Sequence, residues 1–130
     1  MSTSLGFRGL KVYQLAFKLA MEIYQVSKQF PPEERYSLTD QIRRASRSVA
    51  SNIGEGYRKK LYPKVFVNKM TDADGEAAET QVWIDFASAC GYISESLQQK
   101  WLEGYEEIGR MLGGMIRHPE RFCHQEVQTD

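Results

Sequence analysis

"QIRRASRSVASNIGEGYRKK", residues 41–60, holds the pattern from which the fold is read. With Leu38 just ahead of it, Ile42, Ala45, Val49, Ile53 and Gly56 recur at steps of three and four. A period of 3.6 residues per turn lays such a series along one side of an α-helix, so the stretch is a helix with a single core-facing seam. A phosphate-cradling loop would instead need a strand running into a helix, so that backbone N–H groups converge on the anion. Gly54 and Gly56 come at the end of a helix, with no strand before them and no Lys-Ser/Thr after them. Gly56 falls on the seam and Gly54 off it, and their expected role is close helix packing or a C-terminal cap. Ser37, three residues before Asp40, is the expected start, a relative of the Ser-x-x-Glu capping box.

The same period continues on both sides. A first helix is expected over residues 10–30, with Tyr13, Ala16, Phe17, Ala20, Ile23, Tyr24 and Ser27 inward and Lys11, Gln14, Lys18, Glu22 and Gln25 outward. Pro31-Pro32 stops it, because proline disfavours helical geometry in the residue before it. A third helix opens at Pro63 and carries Phe66, Met70, Ala73, Ala77, Thr80, Ile84, Ala87 and Gly91 on one face. Gly75 inside it costs about 1 kcal/mol relative to Ala, which predicts a close helix contact there. A fourth helix, residues 98–117, aligns Trp101, Leu102, Tyr105, Ile108, Gly109, Leu112, Met115 and Ile116. Helices of about 20 residues, each about 30 Å long and joined by short loops, predict an all-α, antiparallel up-down four-helix bundle. Residues 1–9 are then a lead-in, 10–117 the bundle and 118–130 a polar tail.

The third helix has a second apolar stripe, Val82, Phe86, Ala89 and Ile93, with Trp83, Cys90 and Leu97 beside it. One bundle core buries one face, so this stripe is the expected oligomer interface.

Apolar residues make up 42% of the chain and charged residues 26%, with no apolar run long enough to span a membrane. "MSTSLGFRGLK" lacks a basic segment followed by an apolar one, so the expectation is a cytoplasmic protein with Cys90 and Cys123 reduced. Net charge is zero, yet residues 1–64 hold 12 basic against 5 acidic side chains, and residues 65–130 hold the reverse. Either basic and acidic helices pair side by side, or a basic face is offered to a polyanion.

His118, Cys123 and His124 are the only metal-like grouping, and they lack a second pair at matching spacing. No nucleophile–base arrangement stands out, and no cofactor is called for. Asn52, beside the seam, is expected to fix helix register through a half-buried amide hydrogen bond. The arginines are more telling. With Ile42 at 0° and 100° per residue, Arg43, Arg44, Arg47 and Arg58 fall at about 100° to 200°, the outward side. Lys59 and Lys60 continue the charge, and no acidic residue lies between Asp40 and Glu55 to pair with the arginines along their own helix. Arginine suits bidentate phosphate contact, and Tyr57 and Tyr62 flank the lysines as stacking groups. Arg43, Arg44, Arg47, Arg58, Lys59 and Lys60 are thus the candidate RNA- or DNA-binding residues. The alternative is a protein-interaction module whose basic helix docks on an acidic partner or on its own third helix.

Phe30-Pro31 with Glu34, then Leu38, Gln41-Ile42-Arg43-Arg44-Ala45, Ser48-Val49, Asn52-Ile53 and Glu55-Gly56, together with Glu76 and Glu79-Thr80, carry a resemblance. Across residues 7–117 the chain resembles the bacterial four-helix-bundle proteins encoded by intervening sequences in large-subunit ribosomal RNA genes. These are related in fold to the accessory variability determinant of diversity-generating retroelements. The resemblance implies a homopentamer around a central channel, which would occupy the second stripe of the third helix. It also implies nucleic acid binding beside a reverse transcriptase, for which this chain would be an accessory. No activity of the ribosomal-insertion members follows from it.

Overall fold

The computed structural model describes residues 3–123. Its helices are α1 (Lys11–Ser27), α2 (Leu38–Arg58), α3 (Pro63–Ala89) and α4 (Glu95–Arg117), with short 3-10 segments at Thr3–Gly9, Pro32–Glu34 and Pro119–Arg121. Among the described residues there is no strand. Each helix packs on its neighbours in sequence and α4 closes back on α1, with no diagonal packing of α1 on α3 or α2 on α4. Short connections at residues 59–62 and 90–94 join such neighbours in up-down order.

Each helix buries one stripe. Ile42, Ala45, Val49, Ile53 and Gly56 of α2 and Phe66, Met70, Ala73, Ala77, Thr80, Ile84 and Ala87 of α3 are all buried as their period predicts. In α4, Trp101, Tyr105, Ile108, Leu112 and Met115 face inward. The α1 stripe differs from expectation: Val12, Ala16, Leu19 and Ile23 are buried, while Phe17 is 52% exposed. Apolar residues surround α1, and the core takes the aliphatic side and leaves part of the aromatic side outside. Trp101 Nε1 donates to Glu22 Oε1 (3.2 Å) and Lys100 pairs with the same oxygen (3.4 Å), fastening α4 to α1.

α1 ends at Ser27, short of Phe30, which instead turns into the core beside Tyr92 with ring centroids 5.5 Å apart. The start of α2 is held by Glu34, not by a Ser37–Asp40 box. Ser37 Oγ donates to Glu34 Oε1 (2.7 Å) and the Leu38 N–H to the same oxygen (3.2 Å), a carboxylate accepting at a helix N-terminus. Glu34 Oε2 accepts from the Tyr92 hydroxyl (2.9 Å), so one side chain ties α2's start to the α3–α4 turn. That turn closes on Gly91 at φ +79°, where the Gly91 and Tyr92 N–H groups bond the Ser88 and Ala87 carbonyls. The α4 N-cap is Ser94, whose Oγ accepts from the Leu97 N–H.

Gly56 is a close-packing position: a Cβ there would lie 2.8 Å from both Lys69 Cβ and Met70 Cε of α3. The helix runs on past it to Arg58, so it is no cap. Gly54 is buried as well, under the Phe7 ring, rather than off the packed side. Gly75 is exposed with nothing within 4 Å of a Cβ, so the helix contact expected there is absent. Asn52 bonds along its own helix, from Nδ2 to the Ser48 carbonyl (2.9 Å) and hydroxyl (3.2 Å), and fixes no register between helices. Of the expected C-terminal tail, Phe122 stacks on Phe66 at 5.9 Å, and residues 124–130, with His124, lie outside the described residues.

Two predictions follow from this packing. Gly56→Ala lowers unfolding free energy by about 1–3 kcal/mol despite alanine's better helix propensity, because overpacking outweighs it. Gly75→Ala raises it by about 0.5–1 kcal/mol. Urea titration decides both, and a stabilised Gly56→Ala would sink the packing account. For pH, hydrogen bonds from Ser37, Tyr92 and the Leu38 N–H hold the Glu34 carboxyl below its ordinary 4.5. That contribution is present above pH 4.5 and is lost as pH falls through the depressed value. The hydrogen bond to Glu34 raises the Tyr92 hydroxyl from 10.0 to about 12, so its contribution is full below pH 10.0 and fades as pH rises through about 12. Melting temperatures across pH should show a flatter acid limb in Glu34→Gln and a flatter alkaline limb in Tyr92→Phe; unchanged limbs would refute the link.

Candidate nucleic-acid interface

The α2 seam, once buried on α3 and α1, determines where the arginines go. Arg44, Arg47 and Arg58 are exposed, as is Lys59. Arg43 is half-buried: its Nε donates to Ser27 Oγ (2.8 Å) and its Nη2 to the Tyr24 carbonyl (3.5 Å), both on α1. It is therefore in part an interhelix tie, a correction to the purely outward reading, because a residue at 100° from the seam meets the neighbouring helix. Its guanidinium also lies 4.9 Å from the Tyr24 ring, with Arg47 at 5.5 Å and Lys28 at 4.9 Å from the same ring. Lys60 Nζ sits 4.3 Å from the Tyr57 ring and donates to its hydroxyl (3.2 Å).

Of the two readings of the charge asymmetry, pairing of the α2 arginines with acidic α3 is not seen among the described residues. Among the described residues the ion pairs are Lys69–Glu55, Lys100–Glu22, Arg110–Glu107 and His118–Glu120, and none includes Arg43, Arg44, Arg47 or Arg58. The pair that joins α2 to α3 has reversed polarity, Glu55 on α2 accepting from Lys69 on α3 at 2.8 Å. On α3, burial first and then the like charges of Glu79 and Asp72 push the Glu76 carboxyl up, the opposite of what an arginine partner would do.

Between α1 and α2 lies a groove of about 500 Å³ that the helical period did not reveal. Phe7, Tyr13, Phe17 and Met21 form its apolar side, and Arg47, Ser51, Glu55 and Arg58 line the α2 edge. Phe7 packs edge-on to Tyr13 at 5.1 Å, Tyr13 lies 6.1 Å from Phe17, and Arg8 stands 4.6 Å from the Phe7 ring. The readable signal was in α1, where Leu15, Leu19, Met21 and Val26 left more apolar side chains than one face could bury.

The expected oligomer stripe is shorter than its period suggested. Val82 and Phe86 are 47% and 53% exposed, and Ala89 is exposed at the end of α3. Ile93 is 8% exposed in the chain's own core, because it lies past the Gly91 turn, where the helical period no longer applies. Trp83 lies 5.9 Å from Phe86 and donates from Nε1 to Glu79 (3.1 Å). Tyr36, 84% exposed, and Cys90 join them around a hollow of about 380 Å³. No described helix is long and apolar enough to cross a membrane, and among the described residues no three His, Cys, Asp or Glu side chains gather as metal ligands.

The geometry defines a class: an all-α four-helix protein in which Arg44, Arg47 and Arg58 have no ion-pair partner among the described residues, and Arg47 and Arg58 share a groove with the exposed Phe17 ring. The family model for the 23S rRNA-intervening sequence protein matches residues 8–114, and the chain belongs to that family. A crystal structure of a protein of unknown function from the S23 ribosomal protein family of Bacteroides thetaiotaomicron shares the fold. It superposes with a TM-score of 0.73 at 24% identity, over 82% of this chain and 95% of that one. No curated protein matches the chain.

Arg43 and Arg44, adjacent in sequence, should separate in experiment. Arg43→Ala is expected to cost about 1–2 kcal/mol of stability through its lost charged hydrogen bond, and Arg44→Ala to stay within about 0.5 kcal/mol of wild type. Equal losses in urea unfolding would refute the assigned tie.

Proposed function

We propose that this chain is a non-enzymatic, homo-oligomeric four-helix bundle that binds RNA or DNA through Arg44, Arg47, Arg58 and Lys59, with Lys60 held at Tyr57 beside them. The observation that carries the reading is the absence of Arg44, Arg47 and Arg58 from the ion pairs of the described residues, on a helix whose acidic neighbour lies in reach of its other faces. Guanidinium groups without carboxylate partners suit bidentate contact with phosphate, and such contacts carry no base specificity. The work of such a protein is that of a scaffold or accessory to a nucleic-acid-processing partner such as a reverse transcriptase.

The exposed Val82 and Phe86, with half-buried Trp83 beside them, support self-association, because an apolar cluster this prominent on a helical protein gains by being covered. A ring of copies, five in the reading carried by the family resemblance, would repeat the basic helix around its circumference. Repetition raises avidity by orders of magnitude without new contacts. A second reading, a protein-interaction module with no nucleic-acid ligand, is favoured by the hollow between Tyr36 and Phe86, which a partner's apolar side chain would fit.

The test is binding of the purified protein to a labelled structured RNA across a salt series, with light scattering in parallel. Binding should weaken with a log–log slope of about −0.7 to −0.9 per phosphate contacted. Arg44→Glu with Arg47→Glu should flatten that slope and leave the oligomer intact, and Phe86→Glu should dissociate it. Absence of binding at low salt would overturn the nucleic-acid reading and leave the protein-interaction one; disassembly in the arginine variant would make those residues subunit contacts.

A further inference from the structure

We infer that the α1–α2 groove seats unpaired bases, so that the nucleic acid is engaged as a single strand and not as duplex. This deepens the reading above and rests on it. A duplex offers a protein its phosphates and groove edges, with base faces hidden in the stack, and makes no use of an aromatic floor. This groove has such a floor in the open: Phe17 is 52% and Met21 43% exposed, with Phe7 and Tyr13 continuing the apolar surface. Ala20, Ala50 and Gly54 beneath them are small, which leaves the groove its volume of about 500 Å³. A flat base laid on Phe17 would cover apolar surface that water now touches and would meet a π-face.

Charge decides the kind of occupant. Arg47 and Arg58 line the α2 edge with the Ser51 hydroxyl, and Arg8 stands at the Phe7 ring. Glu55 is the one carboxylate among the described lining residues, and its charge is offset by Lys69 at 2.8 Å. An apolar floor under a cationic edge complements a chain that is anionic along its backbone and aromatic in its side groups. It fits an apolar protein helix less well, since such a helix would leave those guanidinium groups desolvated without partners. Stacking of this kind accepts every base, so the expected binding is sequence-tolerant.

The experiment measures full-length protein against an unstructured single-stranded RNA and the blunt duplex of the same sequence, by fluorescence anisotropy over a salt series. The single strand should bind about tenfold more tightly at equal salt. Phe17→Ser and Met21→Ser, both at exposed positions, should each lower single-strand affinity by about fivefold to tenfold with the salt slope unchanged, because the slope counts phosphates. Phe17→Tyr should retain binding, and circular dichroism should show all three folded. Equal affinity for strand and duplex, with the serine variants indifferent, would overturn the groove's role and leave phosphate contact standing. Failure to bind either RNA would overturn the broader reading and this one with it. Loss of the oligomer in Phe17→Ser would assign the groove to a subunit contact and likewise overturn the inference.

Discussion

The closeness of α2 to α3 at Gly56 is the constraint on which the rest turns. With no side chain on that residue, the α3 backbone comes near enough for Lys69 and Met70 to occupy the space a Cβ would take. A contact this tight constrains the rotation of α2 about its own axis, with Gly54 against the Phe7 ring as a second close approach on the same helix. Once that rotation is set, Arg43, Arg44 and Arg47 are directed away from α3, and Arg43 and Arg47 come up against α1 at Tyr24. On the far side of the bundle Gly104 plays the same part for α4 and α1, its missing Cβ leaving room for the Leu19 methyls. Backbone economy at a few positions thus decides where charge is displayed.

The distribution of charge has a physical lesson. A surplus of seven charges in each half of the chain, of opposite sign in the two, suggests neighbouring helices drawn together by attraction. Exposed ion pairs contribute so little that they exert only a weak pull on helix rotation, whereas filling the core contributes several-fold more. The seam of α2 was therefore free to point its arginines elsewhere, and the lone α2–α3 pair took the reverse polarity.

Most of the fold was readable because α2 and α4 each have a single stripe, and in α3 the longer of two stripes, Phe66 to Ala87, takes the core. In α1 the period is ambiguous, since Val12, Leu15, Leu19 and Val26 compete with Tyr13, Phe17 and Tyr24 for the core, and only packing against α2 and α4 settles which wins. Local chemistry was harder to read. Ser37 could not announce that Glu34, outside the helix, would take over its cap, and Asn52 found its partner one turn back. Ile93 continues the α3 stripe by count alone, and a left-handed Gly91 breaks the period before it. The candidate site was readable in its charges but not in its groove, because the groove is a relation between α1, α2 and Phe7 that no single helix displays.

Arg43 sits where structure and surface overlap, with its Nε on Ser27 and its guanidinium face on the ring that Arg47 shares. Its neighbours on the exposed face can be exchanged by mutation at little cost to the interior, so that surface is open to drift and to new ligands. Arg43 is not. A change there would loosen the α1–α2 tie and alter the charged face at one stroke, so interior and surface are coupled at this single position.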